Sequence, residues 1–269
     1  MSGPHHKAIQ AKTATRSSEQ IDKLENQSFI IMNDPQTRTQ HVTRTFTTPN
    51  AAPLFQGLPY HYQNVRKISA FCKCDPAKLT RFIPDEFELA GDVIEVFVME
   101  APDAGPLGRY NEGGVVIPVK YQGQPGGHVA FEYVETDDSL AAGREIWGYP
   151  KKIADVPLSF AADWTVSGSV VRRGSKIISI DFQPEAVTFA KPELQPRFQL
   201  KVVPSADGVA QGLHQVIRNA VTDFTLHDRI PGRASLHLEN AAQDPMADLG
   251  MIEVLGGELS TYSFVLGYG

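Results

Sequence analysis

The sequence predicts an α+β domain dominated by antiparallel strands, preceded by a polar arm. Three observations carry this. From Pro53 onward, short runs rich in β-formers recur between Gly, Pro and Asp. Only two segments carry helix start and stop signals. No linker-like stretch and no internal repeat divides residues 53–269.

In chain order, residues 1–50 are polar and rich in Thr, Gln, Ser and Asn, with weak hydrophobic periodicity. They read as a mobile arm, and residues 51–269 as one domain. The expected strands are Val93 to Met99, Val115 to Tyr121, His128 to Val134, Thr165 to Arg172, Lys176 to Phe182, Phe198 to Val203 and Leu259 to Leu266. The spacing of turn signals between them favours antiparallel pairing. Asp75-Pro76 opens one short helix, with the cap residue and the N1 proline in their usual order. A second runs from Asp138 to Trp147, capped by Asp138 or Ser139 and stopped by Gly148 and Pro150. Gly168, inside a strand pattern, marks close packing or a bulge.

Composition narrows the function. The 269 residues are 42% apolar and 21% charged, with 25 basic and 31 acidic side chains and a net charge of -6. That balance argues against an electrostatic nucleic-acid binder. No apolar run approaches the roughly 20 residues of a membrane helix, and Phe29 to Met32 is too short for a signal core. Glu19, Asp22 and Glu25 argue against a transit peptide. A cytoplasmic protein is expected. The two cysteines, Cys72 and Cys74, project to one face of a strand and read as reduced thiols. The eight histidines are scattered, without metal-ligand spacing, and no glycine pair opens a phosphate loop. Neither a metal nor an organic cofactor is expected.

The chemistry concentrates in Gly143-Arg144-Glu145-Ile146-Trp147-Gly148-Tyr149-Pro150-Lys151-Lys152. A lysine pair is ordinarily solvated surface. Here Ile146, Trp147, Tyr149 and Ile153 surround it, and Gly148 and Pro150 fix the backbone. A lysine so enclosed loses solvation, which disfavours its charge. Schiff-base formation requires a neutral amine, and lowering a lysine from about 10.4 to about 7 takes roughly 4–5 kcal/mol. Burial supplies a shift of that size, so desolvation takes the main role. Lys152 is secondary, since adjacent side chains of an extended segment face opposite ways.

The motif Gly-Arg-Glu-x-x-x-Tyr-Pro-Lys-Lys resembles the signature of the acetoacetate decarboxylase superfamily. A second block agrees: Leu107-Gly108-Arg109-Tyr110-Asn111-Glu112, followed by Ile117-Pro118-Val119. The resemblance extends weakly from about Pro53 to the end, including Thr222-Asp223 and His227. It implies antiparallel strands curled into a cone-shaped, barrel-like sheet with a few flanking helices, and a homo-oligomer. It implies that Lys151 is the Schiff-base nucleophile, Lys152 its helper and Glu112 the acidic residue of the site. Arg144 and Glu145 hold the motif's geometry, and Tyr149 lines the pocket or packs beside it. Two positions depart. The family's carboxylate-binding arginine falls at Val65, which makes neighbouring Arg66 the candidate for substrate. Its second acidic residue falls at Phe97, a further substrate-binding candidate, with Glu95 and Glu100 nearby.

The implied reaction is decarboxylation of a small β-keto acid, with no metal, flavin or pyridoxal phosphate. Two alternatives stay open: imine-dependent aldol, dehydration or cyclisation chemistry without loss of carbon dioxide, and a non-catalytic relative that binds a small ligand.

Overall fold

The computed structural model describes residues 46–209 and 211–269. Most of the expected arm, residues 1–45, lies outside them. The described chain begins against the domain, with the Phe46 ring edge-on to Phe55 at 5.5 Å. Thr47 donates a 3.2 Å hydrogen bond to Glu145.

The elements follow in order: β1 (Tyr60–Cys74), α1 (Pro76–Leu79), β2 (Glu88–Leu89), β3 (Val93–Ala101), β4 (Tyr110–Tyr121), β5 (Gln124–Val134), α2 (Asp137–Ala142), a π-helical turn (Gly143–Trp147), β6 (Lys151–Ile153), β7 (Leu158–Phe160), β8 (Val166–Arg172), β9 (Ser175–Pro184), β10 (Arg197–Pro204), β11 (Gln211–Asn219), β12 (Thr222–Leu238), β13 (Asn240–Ala241), β14 (Asp244–Pro245) and β15 (Met251–Leu266). Thirteen strands form one sheet in the order β11-β10-β5-β4-β3-β1-β15-β12-β9-β8-β7, with β2 on β4 and β6 on β5. Pairing is antiparallel except for β5 with β6 and with β10. The mainly antiparallel α+β class is as expected. The sheet is large and mixed, and no closed barrel forms among the described residues.

Alternation of side chains along β1, β3, β4 and β5 divides the interior in two. One face carries Ile68, Ala70, Ile94, Val96 and Val98, which join Val170, Ile178 and Phe182 from β8 and β9 in the larger core. The two halves of the sheet therefore pack face to face there. Two glycines permit the approach: a Cβ on Gly113 would lie 2.6 Å from Val170 Cγ2, and one on Gly168 would lie 2.9 Å from Val98 Cβ. The opposite face carries Val65, Phe97, Met99, Tyr110 and Trp147 in a second cluster. The site described below opens on that second face.

Cys72 and Cys74 are free and buried in the larger core, with their sulfurs 4.0 Å apart. His128 is buried beside Phe87 and Phe198, with Nδ1 3.0 Å from the Phe198 carbonyl. Burial lowers its pKa to about 4, so the neutral ring donates this bond. No helix among the described residues is long and apolar enough to cross a membrane.

Candidate active site

Lys151 is the first residue of β6, and the segment before it sets its direction. The helix expected from Asp138 to Trp147 is α-helical only to Ala142, then widens into the π turn. Gly148 ends the turn in the left-handed region at φ 81°. The Arg144 guanidinium bonds the Lys151 carbonyl at 3.2 Å. Gly143 leaves room for the lysine stem, since a Cβ there would lie 2.5 Å from Lys151 Cδ. Parallel pairing then sets Lys151 beside Glu132 of β5.

The Lys151 side chain is 8% exposed. Its Nζ donates to Glu112 Oε2 at 2.7 Å and to Ser139 Oγ at 3.2 Å. Glu112 stands on β4, opposite Val134 of β5, so Glu112 and Glu132 are diagonal neighbours on one face. Both carboxyl groups are buried. Burial and the Glu112 charge push the Glu132 carboxyl well above the ordinary range, against the opposing pull of Lys151 and Arg197. Its Oε2 makes no hydrogen bond among the described residues.

This arrangement corrects one expectation. Burial does disfavour the Lys151 charge, but the neighbouring carboxyl groups outweigh it and raise the lysine pKa. With Glu132 uncharged, Glu112 is the partner that holds the ammonium form. Burial alone therefore does not strip the proton.

A second charged cluster lies on β1, β3 and β10. Lys67 Nζ meets Glu95 Oε1 at 2.6 Å, Ser69 donates to the same oxygen at 2.6 Å, and Arg197 stands 3.5 Å from Oε2. Burial raises the Glu95 pKa, but Lys67 and Arg197 overcome it and hold the carboxyl at about 2. Both clusters line one cavity of about 370 Å³. Aromatic groups line it too, among them Phe97, Tyr149 and Tyr262. Tyr62 and Tyr110 share a 2.8 Å hydrogen bond in its wall.

Of the residues singled out in the sequence, Lys151, Glu112, Phe97 and Tyr149 line this cavity, whereas Lys152 and Arg66 do not. Lys152 turns to the other face, where Nζ bonds Asp244 Oδ1 and the Gln243 carbonyl, both at 2.7 Å. Arg66 pairs with Glu100 and lies over the Phe160 ring at 3.7 Å. The cation that does enter from β1 is Lys67. The ungapped family position is Val65, with Arg66 adjacent. The period of two from Val65 leads to Lys67 instead, and from Phe97 to Glu95. Nothing in the local sequence marked Glu132 or Arg197. No group of three His, Cys, Asp or Glu among the described residues is arranged to hold a metal.

A family model described as acetoacetate decarboxylase matches residues 45–269. An acetoacetate decarboxylase of Burkholderia multivorans is 29% identical over 231 residues, covering 84% of this chain and 94% of its own. One from Acidiphilium cryptum is 33% identical over 218 residues, covering 78% and 87%. The crystal structure of acetoacetate decarboxylase from Legionella pneumophila superposes with a TM-score of 0.75 at 27% identity, covering 84% of this chain and 92% of that one. At the level of fold alone, an enduracididine biosynthesis enzyme, complexed with the condensation product of pyruvate and imidazole 4-carboxaldehyde, matches with a TM-score of 0.71 at 16% identity, covering 82% and 93%.

Proposed function

The chain belongs to the acetoacetate decarboxylase family, and from that membership and the setting of Lys151 we propose a Schiff-base decarboxylase of a small β-keto acid, acetoacetate or a close analogue. The single observation that carries the reading is the buried Lys151 amine, 2.7 Å from Glu112 and enclosed in the cavity.

The geometry supports the following steps. Glu112 takes a proton from the Lys151 ammonium, and the neutral amine adds to the ketone carbon. The carbinolamine hydroxyl leaves as water with one proton from an acid of the site, which regains it on hydrolysis, and the resulting iminium accepts the electron pair released when the carbon–carboxylate bond breaks. Carbon dioxide leaves and an enamine remains. The proton held on Glu112 returns to the enamine carbon, and hydrolysis frees the ketone and Lys151. One solvent proton then restores the ammonium. Lys67 and Arg197, both largely buried at the cavity wall, are the candidates for holding the substrate carboxylate.

The test is borohydride reduction in the presence of acetoacetate, followed by peptide mapping. The expected result is irreversible inactivation with the added mass on Lys151. Absence of labelling with every β-keto acid tried, or labelling only elsewhere, would count against the reading.

A second reading is favoured by Phe97, an apolar ring at the position where the family resemblance expects an acid. It keeps the imine and changes its fate to condensation or dehydration. Acetone and carbon dioxide from acetoacetate would support the first reading. An aldol or dehydration product from pyruvate and an aldehyde, with no gas evolved, would support the second.

We also infer a homo-oligomer. The first half of β12 pairs with β15 on one side, while β9 begins its pairing only at Gly232. That half carries exposed Phe224 and Leu226. An open strand edge with apolar groups is a surface that proteins cover. Light scattering should give a mass that is a multiple of the 29.5 kDa chain. A monomer at micromolar concentration would refute the assignment.

A further inference from the structure

Four carboxyl groups line the cavity, and three of them have cationic partners, Glu258 being paired with Lys191 and Arg229. Glu95 is paired with Lys67 and Arg197, and Glu112 with Lys151. Glu132 has no such close partner, although it is 5% exposed and stands in register with Lys151 on the same face. An uncompensated buried carboxylate is strongly disfavoured, so a carboxyl group in this position holds its proton. Glu132 lines the same cavity as Lys151, and its buried Oε2 makes no hydrogen bond among the described residues. Two carboxyl groups beside one amine thus stand in different settings: Glu112 is ion-paired with the amine at 2.7 Å, whereas Glu132 has no cation at contact distance and keeps a proton it can give. Such a division separates base from acid.

We propose that Glu132 is a catalytic acid of this site, handing its proton to the hydroxyl group that leaves when the Lys151 carbinolamine collapses to the imine. The role rests on the Schiff-base reading above. In this step the carbon–oxygen bond breaks, the nitrogen lone pair forms the C=N bond, and the Glu132 proton leaves with the hydroxyl as water. The neutral pair of carbinolamine and carboxylic acid becomes an ion pair of iminium and carboxylate. The new carboxylate lies beside the new cation, which favours the imine. In hydrolysis, water adds to the iminium carbon and the Glu132 carboxylate takes back one proton, so the acid is regenerated in each cycle. The groups that face Glu132 from the surrounding elements are Glu112 and Tyr110 of β4, Lys151 of β6, Arg197 of β10, and Tyr149 of the turn before β6. Of these, only Lys151 and Arg197 are cations.

The test uses the full chain and compares two reactions of the same lysine. Imine formation with a β-keto acid or its ketone product requires loss of water. It is read as the rate of borohydride trapping and as exchange of the ketone oxygen with ¹⁸O-water. Acetylation of Lys151 by acetic anhydride requires no such acid. Glu132→Gln should slow trapping and oxygen exchange by about 100-fold or more, the usual scale of a general acid, while Lys151 acetylation stays within about threefold. Glu132→Asp, which keeps the proton, should recover part of the trapping rate. If Glu132→Gln fails to fold, Glu132→Asp carries the test through infrared spectroscopy. A protonated-carboxyl band at neutral pH, present in wild type and shifted in Glu132→Asp, supports the assignment, and its absence overturns it. Unchanged trapping in Glu132→Gln overturns the role of Glu132 and leaves the Schiff-base reading intact. Equal slowing of trapping and acetylation also overturns it, since the residue would then act on the amine. No labelling of Lys151 in the wild type by any keto acid removes both proposals together.

Discussion

The charge on Lys151 is decided by atoms that lie far away along the chain. Burial favours the neutral amine, yet a carboxylate 39 positions earlier in sequence and 2.7 Å away in space reverses the balance. The same contest appears at Glu95, where burial and two cations oppose one another and the cations prevail at about 2. A carboxyl whose folded pKa lies below its ordinary value of about 4.5 stabilises the fold above that value. The contribution disappears as the pH falls through the folded value. Over this window Glu95 contributes about 3 kcal/mol. His128 acts in the same direction at milder acidity. Its pKa is lowered from 6.5 to about 4, so its share is lost over that interval. Glu132 has the opposite sign: its raised pKa favours the fold at low pH and disfavours it as the pH rises past the ordinary range. Between about pH 6.5 and about pH 4.5 the Glu132 and His128 contributions oppose one another, so urea unfolding across pH should show stability falling mainly below about pH 4.5. In Glu95→Gln, the part of the fall between about pH 4.5 and about pH 2 should be smaller by about 3 kcal/mol. An equal fall in both proteins would refute the assignment to Glu95.

At the scale of elements, the π turn between α2 and β6 is the device that aims the lysine. Gly143 is helical in conformation, so its side-chain-free position is a matter of space and not of φ. Gly143→Ala gains helix propensity of about 1 kcal/mol but drives a methyl into the Lys151 stem, 2.5 Å away. The protein should fold with stability changed by no more than about 2 kcal/mol. Borohydride trapping should slow by about 100-fold, because displacement of a reacting group by about 1 Å is enough for that loss. An unchanged trapping rate would show that the lysine has slack. Element boundaries were partly readable in the sequence. The apolar runs of β3, β5, β8 and β9 announced themselves through β-branched and aromatic residues. By contrast β1 and β12 were not anticipated. Arg66, Lys67 and Lys73 interrupt the apolar pattern of β1, and β12 is largely exposed over its first half. Their partners on β15 hold them in the sheet.

Across the whole molecule, a sheet that bends over itself encloses the larger core and leaves its other face to the site. The bend depends on the two halves approaching closely at Gly113 and Gly168. Gly168→Val would force branched carbons against Val98 and Leu158, where even a Cβ lies 2.9 Å from each. The substitution should cost about 1–3 kcal/mol by urea unfolding. A neutral result would mean that the layers move apart freely, contrary to the close packing at this contact.

What the sequence by itself determined is the part written in contiguous residues: the mostly antiparallel class, the lysine motif from Gly143 to Lys152, the block ending at Glu112, and the family that both resemble. Each rests on local spacing, which survives without knowledge of distant neighbours. The tertiary structure alone decided which faces meet. It turned Lys152 and Arg66 away from the cavity, brought Lys67, Glu95 and Arg197 into it, and set Glu132 beside Lys151. The reason is that a strand shows its side chains to alternate faces, so one residue of offset exchanges cavity for exterior. Charge states follow from distances between strands, and strand register, set by long-range pairing, is where those distances come from.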